Sequence, residues 1–111
     1  MAKKELASEG EVDALRRLAT DPKRVQVTAR ANYDMWGRGL TKFDVCDALH
    51  SWIKEGRPVT RTQMHQRGPG VIGYEIKPEL SGMVFYMKFI IRGESALDPV
   101  LLIVSAHKDE G

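Results

Sequence analysis

Met83-Val84-Phe85-Tyr86-Met87-Lys88-Phe89-Ile90-Ile91 is the stretch on which the reading of this 111-residue chain turns. As a strand it sends its side chains alternately to two faces. One face carries Met83, Phe85, Met87, Phe89 and Ile91, all large and apolar, and belongs in a core. The other carries Val84, Tyr86, Lys88 and Ile90, which sets a phenol beside an ammonium. A second apolar run, Val100 to Ala106, reads as a strand buried on both faces, turning polar at Ser105, His107 and Lys108. Two central strands thus direct Tyr86, Lys88 and His107 towards one shared surface, where function is expected.

Upstream of this pair, Val71 to Lys77 reads as a strand entered through the turn Gly68-Pro69-Gly70 and linked onward by Pro78 to Gly82. Val59 to Arg67 is a polar segment in which Thr60 and Thr62 favour strand. Helical spacing governs the first half of the chain. Val12, Leu15 and Leu18 predict a helix over Glu9 to Thr20, with Glu9 and Glu11 at its start, Arg16 and Arg17 towards its end, and Asp21-Pro22 as the stop. Arg24 to Thr28 suits a short strand. Thr28 then caps a helix from Ala29 to Trp36, ended by Gly37 and Gly39. Thr41, with Asp44 three residues on, caps a third helix. Its inward stripe is Phe43, Cys46, Leu49 and Ile53, its outward residues are Lys42, Asp47 and Lys54, and Gly56-Arg57-Pro58 closes it. Residues 1 to 8 form a loose start, and Arg92 to Pro99 a loop. The order predicts one α+β domain over residues 1–111, with helices packed on one face of a mainly antiparallel sheet.

Composition narrows the function classes. Hydrophobic residues at 42% and charged residues at 29% fit a folded soluble domain. The net charge of +2 is too small to point to nucleic acid by itself. Between Lys54 and Lys88, however, six basic residues face three acids, a local excess that the acidic chain ends mask. The single Cys46 excludes an internal disulfide and fits a reducing compartment. No apolar run approaches the ~20 residues needed to span a bilayer, and no signal-type segment follows the charged start, so a cytoplasmic location and no membrane partner are expected.

Alternation places Val59, Arg61, Gln63, His65 and Arg67 on one face, and Val71, Gly73, Glu75 and Lys77 on one face of the next strand. It puts Ser105 and His107 on the face of Leu101 and Ile103. Superposed, these faces collect Arg61, His65, Arg67, Glu75, Tyr86, Lys88 and His107, unless a bulge shifts part of the set. Such a set suits metal-free RNA cleavage, which needs a base for the 2′-hydroxyl, cations for the phosphorane and an acid for the departing 5′-oxygen. Glu75, His65 or His107 can serve as the base, Arg61, Arg67 and Lys88 can hold phosphate, and Tyr86 can stack on a nucleobase or donate a proton. Solvation of an open sheet face gives polar residues of the same kind. A non-catalytic module that binds RNA or a partner protein therefore stands as the alternative. Cys46 and His50 lie one helical turn apart, but two ligands without a second pair are weak evidence for a metal, and no cofactor is implied. Trp36 and Trp52, at helix ends, read as core or as a partner interface.

Lys77-Pro78-Glu79-Leu80-Ser81-Gly82-Met83-Val84-Phe85-Tyr86-Met87-Lys88 resembles the Arg-Pro, turn, Gly and Val-Tyr-Leu-Lys strand of the MqsR family of bacterial toxins. Val100-Leu101-Leu102-Ile103-Val104-Ser105 followed by His107-Lys108 is similar to that family's closing strand. Val25-Gln26-Val27-Thr28, Gly39-Leu40 and Phe43-Asp44 match its first strand and helices in order. The resemblance implies a RelE-like fold and an mRNA-cleaving endoribonuclease, the toxin of a type II toxin–antitoxin system, with mRNA as substrate and a cognate antitoxin as partner. It places the family's catalytic tyrosine on Tyr86 and its first lysine on Arg61. The glutamine position falls on Gly73, which has no side chain to replace it. The last lysine falls on His107 or Lys108. On this reading Arg61, Tyr86, His107, Glu75 and His65 are the catalytic candidates, and Arg67, Lys88, Lys77 and Lys108 the RNA-binding ones.

Overall fold

A strand with one wholly apolar face needs a layer above it, and three amphipathic helices provide that layer. The computed structural model describes residues 5–68, 70–93 and 99–110, and these form three α-helices and a seven-stranded mixed sheet. In chain order the elements are β1 (Glu5–Leu6), α1 (Glu9–Ala19), β2 (Val25–Val27), α2 (Ala29–Trp36), α3 (Lys42–Lys54), β3 (Thr60–Gln63), β4 (Ile72–Ile76), β5 (Glu79–Leu80), β6 (Met83–Arg92) and β7 (Val100–Lys108). The strands run β1-β3-β4-β6-β7-β2, with β5 paired to the start of β6. All pairings are antiparallel except β2 with β7. The expected α+β class, with its mainly antiparallel sheet, is what is found. No helix among the described residues is long and apolar enough to cross a membrane.

The core lies between the helices and one sheet face. Phe85, Met87 and Phe89 of β6 are buried there with Leu15 and Leu18 of α1, Ala31 and Met35 of α2, and Val45, Leu49 and Trp52 of α3. The helix starts follow their caps. Thr28 accepts from the Ala31 amide, and Thr41 with Asp44 makes a complete capping box. Ser8 and Glu11 make another at the start of α1.

Several expectations need correction. The inward stripe of α3 is Val45, Cys46, Ala48, Leu49 and Trp52, whereas Phe43 is 55% exposed. Positions 45, 48, 49 and 52 obey the i, i+3, i+4, i+7 rule of a buried helix face, and Phe43 precedes it. Trp52 is a core residue whose Nε1 donates to the Pro58 carbonyl at 2.9 Å. The start of the chain is not loose throughout, because β1 adds to the edge of β3 with Glu5 opposite Arg61. Polar strand β3 is shorter than expected, and His65–Arg67 is a turn of 3₁₀ helix. Arg24 likewise ends a 3₁₀ turn, Pro22–Arg24, ahead of β2. The link between β4 and β6 forms β5 and a two-residue loop, Ser81-Gly82, whose φ values of 52° and 79° are the pair a tight hairpin requires. Pro69 and most of the expected loop from Arg92 to Pro99 lie outside the described residues.

The correction at β7 decides the site. Lys88 opposes Ser105 but Phe89 opposes Ile103, so Val104 has no partner residue and β7 carries a bulge there. The bulge swaps the faces of β7 partway along. Leu101, Ile103 and Ala106 all join the core, while Leu102, Ser105 and His107 share the opposite face. Ser105 and His107 therefore do not share a face with Leu101 and Ile103.

Arg61 also faces the helices. It opposes Tyr74 in register, and both reach Glu11 of α1. The Arg61 Nε donates to Glu11 Oε2 at 3.1 Å and its Nη1 to Glu5 at 3.2 Å, while the Tyr74 hydroxyl donates to Glu11. Burial and this donation push the Tyr74 phenol up to about 12. Burial alone would raise the Glu11 carboxyl, but hydrogen bonds from the Ser8 amide, Tyr74 and the Ser8 hydroxyl, with the Arg61 charge, hold it below its usual 4.5. A carboxyl depressed in the folded state stabilises fully above its unfolded value and loses that contribution as pH falls through the lower folded one. The stability difference between wild type and Glu11→Gln should thus shrink as pH drops below 4.5, measured by urea midpoints across that range. A difference that stays constant there would show that the Glu11 charge does not hold α1 to the sheet.

Candidate active site on the open sheet face

Register across β3, β4, β6 and β7 builds the face away from the helices. Thr60 lies opposite Glu75, Glu75 opposite Lys88, and Lys88 opposite Ser105. Tyr86 lies opposite His107, one step along the same face of β6. Each strand places its residue by alternation against the core: Phe85 and Met87 face inward, so Tyr86 and Lys88 face out.

Glu75 is 5% exposed, the one charged residue buried among the described residues. A buried carboxylate is tolerated only with partners, and Tyr86 supplies one by hydrogen-bonding its side chain. Burial raises the Tyr86 pKa first, then the hydrogen bond and charge of Glu75, and then the charge of Asp109. Together they hold the phenol far above its ordinary range, so Tyr86 stays protonated and acts as a donor. Its ring stacks on His107 with centroids 5.4 Å apart and planes 26° apart. The Lys88 Nζ lies 5.6 Å from the same ring centroid.

His107 is oriented from its other side as well. Its Nδ1 is 2.9 Å from the Lys108 carbonyl, and a carbonyl can only accept, so Nδ1 carries a proton. In the neutral ring that leaves Nε2 as the basic nitrogen. The sequence Glu75, Tyr86, His107 is thus a buried carboxylate, a phenol fixed by it and an imidazole fixed by the phenol, with an ammonium alongside.

Of the nine candidates, Glu75, Tyr86, Lys88 and His107 come together. Arg61 does not. It sits on the helix side, bound to Glu5 and Glu11, because β3 pairs it with Tyr74. Arg67 is exposed in the turn after β3. His65 belongs to the same turn, and its side chain lies outside the description. Lys77 is exposed just beyond β4 and pairs with Asp109 at 3.5 Å. Lys108 is exposed at the end of β7, opposite Phe85. Gly73 has a packing role: a Cβ there would come within 2.6 Å of the Met64 Sδ and 3.3 Å of the Lys88 Cδ. Met64 therefore fills the space a glutamine would need. The Glu75–Tyr86 link and the Met64 contact were missed because both depend on diagonal neighbours across strands, which single-strand alternation does not encode.

Cys46 is buried, and burial pushes its thiol up to about 11, which suits an inert core cysteine. Among the described residues no three His, Cys, Asp or Glu side chains converge as metal ligands. Comparisons with protein-family models, curated proteins and solved structures gave no match to this chain.

Proposed function

We propose that this protein is a metal-independent endoribonuclease that cleaves mRNA, the toxin of a toxin–antitoxin pair acting in the cytoplasm. The observation that carries the reading is the Glu75–Tyr86–His107 arrangement with Lys88 beside it. In this mechanism His107 Nε2 takes the proton of the 2′-hydroxyl, whose oxygen attacks the adjacent phosphorus. Lys88 neutralises the charge building on the phosphorane and protonates the 5′-oxygen as its bond to phosphorus breaks. Tyr86 and Glu75 hold the imidazole in place, since the phenol proton is already committed to the carboxylate. The product ends are a 2′,3′-cyclic phosphate and a 5′-hydroxyl.

A RelE-like fold is part of the proposal, supported by the three helices on one sheet face and by the resemblance of the Lys77–Lys88 stretch. The antitoxin partner is supported by α2, where Tyr33 and Trp36, three residues apart on one helix face, are 74% and 81% exposed. Aromatic residues are enriched at protein–protein interfaces relative to the rest of a protein surface.

The purified protein should cleave single-stranded RNA in excess chelator and leave cyclic or 3′-phosphate ends. Strict magnesium dependence with 5′-phosphate products would overturn the mechanism. RNA binding without cleavage would favour the non-catalytic binding module.

A further inference from the structure

β4 and β6 stop pairing before either strand ends. Their ladder finishes at Tyr74 opposite Phe89, although β4 begins at Ile72 and β6 continues to Arg92. Beyond that point each follows its outer neighbour: Ile72 stays with Gln63 of β3, and Arg92 with Val100 of β7. The two strands splay, and a groove of about 560 Å³ opens there. Val71, Ile72, Tyr74, Ile90 and Ile91 line it, with Ile72, Tyr74 and Ile91 on its helix side and Ile90 on the open face, and Arg67 and Arg92, both exposed, lie at its rim.

We propose that this groove binds one nucleotide of single-stranded RNA beside the scissile phosphate, its base between the aliphatic side chains and its phosphate on Arg67 and Arg92. The inference rests on the RNA-cleaving reading of the adjacent face. Two features select a nucleotide. A slot walled by aliphatic side chains and the Tyr74 ring takes a planar base out of water, which an acidic peptide would not exploit. Each guanidinium can bind phosphate oxygens bidentately, which an uncharged apolar ligand would not use. Position supplies the third argument. Lys88, Ile90 and Arg92 share one face of β6 at two-residue steps of about 7 Å, so the open-face edge of the groove, at Ile90 and Arg92, lies one step from the cation assigned to the scissile phosphate.

The test uses a short 2′-O-methyl oligoribonucleotide of mixed sequence, which has no 2′-hydroxyl to react and so separates binding from cleavage. Fluorescence anisotropy is read over a range of salt concentrations. Arg67→Ala/Arg92→Ala should bind roughly tenfold more weakly, with the salt slope of log affinity reduced by about 1.4 for two lost phosphate contacts on a single strand. Val71→Phe fills the groove without changing charge, and should weaken binding with the slope unchanged. Arg16→Ala/Arg17→Ala, on α1, should bind as wild type. If both groove variants bind as wild type while Lys88→Ala binds more weakly, the groove is not a subsite and the cleavage reading survives. If an acidic peptide competes at the groove and RNA does not, the ligand class is wrong. A wild-type protein that neither binds the oligonucleotide nor cleaves RNA overturns both.

Discussion

His107→Ala should lower RNA cleavage about 10²–10⁴-fold, the span a positioned general base supplies, with a melting temperature close to wild type. The side chain is half-exposed and lies outside the core cluster, so its removal leaves no buried cavity. What it removes is Nε2, the one nitrogen of the arrangement that is free to accept a proton once Nδ1 is held by the Lys108 carbonyl. His107→Asn sharpens the test, because its amide can still donate to that carbonyl yet has no basic nitrogen. It should be as inactive as the alanine variant. Tyr86→Phe keeps the ring that stacks on His107 and loses the hydroxyl that reaches Glu75. Its loss should be smaller than that of His107→Ala if the phenol only positions, and equal to it if the phenol proton moves. Single-turnover rates on one RNA substrate decide between these. A His107→Ala protein that cleaves at the wild-type rate would remove the base from the mechanism and leave the face as a binding surface.

How far the sequence could reveal this face depended on how local each determinant was. The two faces of β6 were legible because five large apolar residues alternate without interruption from Met83 to Ile91. The helix starts at Thr28 and Thr41 were legible because a capping side chain acts on amides within its own turn. Arg61 was misplaced because Val59, Arg61 and Gln63 read equally well on either side until pairing with β4 aligns Arg61 with Tyr74. Val59 was the available clue, since it is buried and a core valine two residues away points Arg61 towards the helices. The bulge at Val104 left a parity conflict in the sequence: Leu101, Ile103 and Ala106 cannot share a face without an extra residue between them. Ala106, the apolar residue between Ser105 and His107, was the signal that the strand changes phase.

Phe89→Ala should strongly destabilise the fold, and it tests the opposite face of the same strand. Phe89 is fully buried, pairs with Tyr74 on β4 and Ile103 on β7, and lies at the point where the β7 bulge restores the core register. Truncating a buried phenylalanine costs about 3–5 kcal/mol, set against the roughly 5–15 kcal/mol by which natural domains are stable. The loss also falls on a junction: without the ring, the alignment of Ile103 and Tyr74 across β6 loses the packing that opposes slippage at the bulge. Urea unfolding should show a much lower midpoint and near-ultraviolet circular dichroism should weaken. Tyr86→Ala, three residues earlier on the open face, provides the contrast. It leaves the Glu75 carboxylate short of a partner, so its midpoint should fall by less than that of Phe89→Ala, while cleavage is sharply reduced. The pair thus separates stability from activity within one strand. A Phe89→Ala protein as stable as Tyr86→Ala would mean that the alternation of β6 does not divide core from site, and the site built on it would fall as well.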